Sequence, residues 1–229
     1  MSARPGIPGD DAVNIEINGQ PCQARKGAMI IEVTDDLGIS VPRFCYHKKL
    51  SVAANCRMCL IEVEKVGKAL PACATPITDG MKINTRSSKA IEAQKSVMEF
   101  LLINHPLDCP ICDQGGECEL QDIAMGYGGD VSVYAEKKRV VGNKDFGPLI
   151  SGDMTRCIHC TRCVRFGEEL AGIKELGATG RGEHMEIGTY VQLSISSAMS
   201  CNVIDLCPVG ALPLEPNRLH AEASALSAQ

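Results

Sequence analysis

The chain has 229 residues, a net charge of −5, and only four Phe, four Tyr and no Trp, so it exceeds one average domain and must build small aliphatic cores. That charge gives no support to nucleic-acid binding. The longest apolar runs, such as residues 100–103, are far too short to cross a bilayer, and the first eleven residues resemble neither a secretory leader nor a transit peptide, so a soluble protein is expected. The thirteen cysteines are odd in number and clustered in Cys-x2-Cys units, which argues against a disulfide framework and for thiolate ligands in a reducing compartment.

After a Pro/Gly-rich tail over residues 1–11, Val13, Ile15 and Ile17 alternate with polar residues and Asn18-Gly19 follows as a hairpin signal, so two strands open the fold. Cys22 falls on the second strand, where a buried, inert thiol is the default. Gly27 leads into a short helix over 28–37 stopped by Gly38, and 59–64 and 81–85 read as further strands. This order predicts an α+β unit with a cysteine loop on one edge. From Ser87 or Ser88 as N-cap, the apolar stripe Ile91, Val97, Met98, Leu101 and Leu102 predicts a helix ending near Asn104, ahead of Pro106, with His105 at its exit. Turn signals over 126–130 and 142–148 flank a predicted strand at 131–141.

Three ligand sets emerge from the cysteine spacing. Cys157, Cys160 and Cys163 stand at two-residue intervals, and the remote Cys207 carries the Pro208 that marks the fourth ligand of a bacterial-type [4Fe–4S] site. A structural zinc site usually pairs two Cys-x2-Cys knuckles, for which the third cysteine is one thiolate too many. Cys45, Cys56, Cys59 and Cys73 have the shape of a plant-type [2Fe–2S] pattern with a longer first gap, and four-cysteine zinc is the alternative. His105, Cys109, Cys112 and Cys118 form the remaining set, with Gly115 and Gly116 able to bring main chain close to a cluster. A lone histidine at a helix exit is more often a cap or surface residue, but three thiolates need a fourth ligand; zinc held by three Cys and one His is the alternative. Setting Cys22 and Cys201 aside, the other eleven cysteines and His105 make three complete sets of four. Cys201 is the harder of the two to dismiss.

The segments Arg43-Phe-Cys-Tyr-His-Lys-Lys, Ala54-Asn-Cys-Arg-Met-Cys, Leu70-Pro-Ala-Cys-Ala-Thr-Pro, the run from Asn104 to Cys118, and Cys207-Pro-Val-Gly-Ala resemble the N-terminal region of the large Fe–S subunit of proton-pumping NADH:quinone oxidoreductase, respiratory complex I. The resemblance covers about residues 12 to 213. It implies a β-grasp, ferredoxin-like [2Fe–2S] domain over 12–95, then small α+β domains for a [4Fe–4S] cluster held by one His and three Cys over 96–135 and for an all-cysteine [4Fe–4S] cluster over 150–213. It further implies that electrons pass from NADH through the FMN-bearing subunit to the [2Fe–2S] centre, then to the all-cysteine and His-ligated centres, and on to downstream Fe–S subunits and quinone. The implied place is cytoplasmic, peripheral on the inner face of a bacterial membrane. No G-x-G-x-x-G follows a strand and no acid, base or nucleophile constellation is present, so no substrate chemistry is expected in this chain. Family members continue into a large domain, whereas this chain leaves the pattern at Pro213, and residues 214–229 read as a disordered tail. Cys201 stands where the family usually has a small residue. The alternative is the electron-transfer subunit of a soluble NAD-linked hydrogenase or formate dehydrogenase, and, from another class, a zinc scaffold.

Overall fold

In the computed structural model, which describes residues 11–132, 134–190 and 194–215, the alternating residues of strand β1 (Ala12–Ile17) turn Val13, Ile15 and Ile17 into one buried face. Asn18 and Gly19 take positive φ, 52° and 81°, the left-handed pair that a two-residue hairpin turn requires. Strand β2 (Gln20–Arg25) then returns antiparallel, with Cys22 opposite Ile15. The short helix forms as α1 (Ile30–Asp36); the Met29 N–H donates to the Glu32 carboxylate at 2.9 Å, and Gly38 at φ 73° ends it. Strands β3 (Leu60–Val63), β4 (Leu70–Pro71) and β5 (Lys82–Asn84) complete a five-stranded sheet in the order β2-β1-β5-β3-β4. Only β1 and β5 run parallel in it; the other neighbours are antiparallel. The buried residues of β1, α1 and β3 share one core with Val41, Ile77 and Ile83. A mixed sheet packed on a single helix is the β-grasp arrangement, and the chain is α+β.

Helix α2 (Ser88–Asn104) starts where expected, with Ser87 Oγ accepting the Ala90 N–H at 3.1 Å. Its buried face is not the expected stripe. Ala90, Gln94 and Met98 are buried, whereas Ile91, Val97, Leu101 and Leu102 are only half-buried. Gln94 holds the central position because its Nε2 donates to the Leu60 carbonyl at 2.8 Å, a polar contact that apolar periodicity cannot signal.

The described residues fall into two compact units, one drawn from 1–48, 52–99 and 127–129, the other from 49–51, 100–126 and 130–229. The second unit holds short elements among long loops. These are α3 (Glu119–Tyr127, with its last residue in the first unit), α4 (Arg162–Phe166), a hairpin of β6 (Leu176–Thr179) and β7 (Glu186–Thr189), and α5 (Asn202–Leu206). Phe146, Ile150, Met154, Ile187, Val209 and Leu212 are buried in it. No strand forms among the described residues of 131–141. Its main-chain donors go to side chains instead: the Arg139 N–H to Asn104 Oδ1 at 3.0 Å, and the Val141 N–H to Thr155 Oγ1 at 3.1 Å. Of the expected tails, residues 1–10 and 216–229 lie outside the described residues. Asp11, by contrast, accepts the Lys26 N–H at 2.7 Å, Leu214 bridges Ile150, and the Glu215 N–H donates to Leu149 at 3.0 Å. Among the described residues no helix is long and apolar enough to cross a membrane.

Ile17, the last residue of β1, is 1% exposed. Ile17→Ala is expected to lower the unfolding free energy of the full chain by about 2–5 kcal/mol in urea titration, the usual cost of a cavity in a well-packed core. A loss below about 1 kcal/mol would show that this face is loosely packed.

Candidate iron–sulfur sites

The first set is assembled by strand register. Leu60 pairs with Pro71 across β3 and β4, and the Ala72 N–H donates to the Cys59 carbonyl at 2.9 Å, which brings Cys59 and Cys73 side by side. Cys45 and Cys56 come from the loop between α1 and β3, where the Cys45 N–H donates to Cys56 Sγ at 3.4 Å. Ala54 and Arg57 flank Cys56 in left-handed conformation, at φ 52° and 59°. Turning non-glycine residues this way is costly, and it aims successive N–H groups into a concavity suited to negative charge. Cys45, Cys59 and Cys73 are buried to 1%, beside the fully buried Phe44 and Met58. The four thiols hydrogen-bond to one another: Cys45 is drawn down by accepting from Cys56 and Cys73, and Cys59 is drawn down by Cys73, whereas the donors Cys56 and Cys73 are pushed up.

His105, Cys109, Cys112 and Cys118 line one cavity of about 110 Å³ with Leu102 and Leu120. His105 is delivered by the end of α2, whose last carbonyls are capped by Lys138: Nζ donates to Leu102 and Ile103 at 2.7 and 2.9 Å. Burial, then the Lys138 and Arg156 charges, lower the His105 imidazole to about 4, which keeps it neutral. A neutral ring is the form that ligates. Its Nδ1 is buried and has no hydrogen-bond partner. A buried ring nitrogen left without a partner beside three thiols is one that a bound metal would satisfy. Cys109 is exposed, Cys112 half-buried and Cys118 buried. Gly115 lies so close to the loop that a Cβ there would stand 2.9 Å from the Cys109 carbonyl oxygen.

Cys157, Cys160, Cys163 and Cys207 surround a second enclosed space with Met154, Ile158, Ile187 and Leu212. That space is narrower than the His105 cavity, about 10 against 110 Å³. The loop is otherwise shaped for anionic sulfur. His159 and Thr161 take φ 54° and 60° on either side of Cys160, and the His159 N–H donates to Cys157 Sγ at 3.4 Å. Burial acts the other way and lifts the free thiols, Cys157 and Cys207 to about 11 and Cys160 to about 12, with Cys163 also raised.

Among the described residues, no three His, Cys, Asp or Glu side chains close on one point as ligands of a single ion. Cys201, the residue before α5, is exposed and does not line the space around Cys207, and Cys22 is half-buried on β2. Sequence reasoning missed three residues of the second set's cavity: Asp108, Arg156 and Gly210. A Cβ on Gly210 would stand 2.3 Å from Cys112 Sγ, so only glycine fits there. Its place three residues after Cys207 was visible, but its contact with a different ligand set was not.

Three family models match the chain: the 2Fe-2S iron-sulfur cluster binding domain over 10–88, the NADH-ubiquinone oxidoreductase-G iron-sulfur binding region over 94–132, and the NADH-quinone oxidoreductase subunit 3 ferredoxin-like domain over 147–213. The chain is 55% identical over 204 residues to the NADH-ubiquinone oxidoreductase 75 kDa subunit of Reclinomonas americana, with 89% of this chain and 30% of that protein covered. It is 53% identical over 207 residues to the mitochondrial NADH dehydrogenase [ubiquinone] iron-sulfur protein 1 of Solanum tuberosum, with 90% and 28% covered. To an NADH-quinone oxidoreductase subunit of Rickettsia felis it is 50% identical over 204 residues, with 89% and 30% covered. It thus spans less than a third of the length of these relatives. In fold it is similar to a chain from the crystal structure of an NAD+-reducing [NiFe]-hydrogenase in the H2-reduced state, at a TM-score of 0.80 and 23% identity, covering 89% of this chain and 88% of that one. Over its aligned residues, the chain belongs with the iron–sulfur region of the large, 75 kDa-type subunit of NADH:quinone oxidoreductases.

Proposed function

We propose that this chain relays single electrons from an FMN- and NADH-binding subunit toward quinone within such an oxidoreductase, as one component of the enzyme and without substrate chemistry of its own. The observation that carries the reading is the cavity in which a neutral His105 presents a partnerless Nδ1 among three cysteines. On this reading Cys45, Cys56, Cys59 and Cys73 hold one [2Fe–2S] cluster. His105, Cys109, Cys112 and Cys118 hold one [4Fe–4S] cluster, and Cys157, Cys160, Cys163 and Cys207 hold a second. When bound, such a cluster supplies one-electron transfer with no bond made or broken. The chain's part is to exclude water with Phe44, Met58 and Leu120, to donate peptide N–H groups to sulfur, and to hold His105 neutral. The domains follow the ligands: 12–95, 96–135 and 150–213. Partners are the FMN subunit and downstream Fe–S subunits, and the place of work is the cytoplasmic face of a bacterial inner membrane, reached through those partners. The hydrogenase alternative is supported by fold likeness at 23% identity, against relatives of NADH:quinone oxidoreductase type at 50 to 55%.

Anaerobically purified protein is expected to contain iron and acid-labile sulfide and to show three EPR signals after dithionite; zinc without sulfide would end the electron-transfer reading. His105→Cys exchanges a neutral ligand for a thiolate and makes its site one unit more negative. It should keep the cluster and lower its midpoint potential, and an unchanged midpoint would remove His105 from the ligands. Cys201→Ser should leave all three signals intact, whereas loss of the all-cysteine [4Fe–4S] signal would make Cys201 a ligand.

A further inference from the structure

The second unit buries three arginines, and one of them is built into the wall of the His105 cavity. Arg156 directly precedes Cys157, yet its side chain turns toward the other ligand set. Its Nη2 stands 3.0 Å from Asp153 Oδ2, its Nε and Nη2 each 3.4 Å from Asp108 Oδ2, and its Nη1 donates to the Gly210 carbonyl at 3.3 Å. The side chain is 9% exposed. Asp108, which directly precedes Cys109, lines the same cavity, so that one wall carries a buried cation and the other side of its ion pair carries a carboxylate.

An ion pair of this kind commonly does no more than tie two segments together. Two features take it further. A charge in a low-dielectric wall acts strongly on any charge change in the space it encloses, and a one-electron reduction is such a change. Here, too, opposite charges line one cavity, so their effects on the potential have opposite signs and can be separated by mutation. We infer that Arg156 is a positioning residue that raises the reduction potential of the cluster held by His105, Cys109, Cys112 and Cys118, against the opposing carboxylate of Asp108. The inference rests on the ligand assignment proposed above. Arg156 also fixes geometry, since its guanidinium holds the Gly210 carbonyl, whose residue abuts Cys112.

The test is an EPR-monitored redox titration of the full chain, in which dithionite donates one electron per cluster and no bond or proton moves. Arg156→Gln removes the cation and leaves Asp108 and Asp153 uncompensated, so the midpoint of the His-ligated cluster should fall. Asp108→Asn should raise it, and Arg156→Lys, which keeps the charge, should stay nearer the wild type than Arg156→Gln. The all-cysteine cluster should shift less in each case. Opposite shifts from the two halves of one ion pair are not what loss of a structural tie produces. Shifts of the same sign, no shift, or a larger shift at the all-cysteine cluster would overturn the inference. If Arg156→Gln fails to retain iron and sulfide, Asp108→Asn decides alone: a raised midpoint supports the inference, and an unchanged or lowered one overturns it. Wild-type protein without acid-labile sulfide would instead sink the cluster assignment itself, before the role of Arg156 is reached.

Discussion

A buried thiolate is costly unless its charge is met, and in this chain it is met chiefly by the main chain. Peptide N–H groups donate to sulfur from Cys45 at Cys56 and from His159 at Cys157. To aim them, the backbone adopts conformations that L-residues avoid. Of the six non-glycine residues with positive φ among the described residues, four are Ala54, Arg57, His159 and Thr161, near Cys56 and Cys160. Each costs on the order of 1 kcal/mol or more, a strain that persists only where surrounding packing enforces it. The packing is there: the β3–β4 register on one side, and α4 with the loop after Cys207 on the other.

The same constraint explains why sulfur is handled differently across the sets. In the first, Cys59 and Cys73 belong to the sheet-and-helix core, Cys45 is buried as well, and the thiols hydrogen-bond to one another. The second has an exposed Cys109 and a roomier cavity, and its wall carries formal charges as well as dipoles. The third is nearly closed, lined by aliphatic side chains, and burial lifts every one of its free thiols. Thiols held protonated this firmly must give up protons when iron enters, so occupation of that set is coupled to proton release.

Local periodicity and turn chemistry were readable from the residues: the Asn18-Gly19 hairpin, the helix before Gly38, and the Ser87 cap of α2. Ligand spacing was equally readable, because Cys-x2-Cys loops and a Cys-Pro carry their geometry within a few residues. What escaped the sequence depended on distant partners. The apolar stripe of α2 lost its central place to Gln94 because a carbonyl on β3 needed a donor, and 131–141 did not form a strand because Asn104 and Thr155 took its main-chain donors. Arg156 and Asp108 are each only charged neighbours of a cysteine in the sequence; the fold pairs them and puts both on the lining of one cavity.

Gly210 sets a timetable for the chain. The cavity of His105 and its three cysteines is closed by a residue from the loop after Cys207, and Cys118 Sγ meets the Pro208 carbonyl at 3.8 Å across 90 positions of sequence. During synthesis, therefore, all four of those side chains leave the ribosome well before the wall that shelters them exists. The first set has no such wait, since the sheet around Cys45, Cys56, Cys59 and Cys73 is complete once β5 is made. The cavity of the second set is therefore completed only once the loop that carries Cys207 is in place.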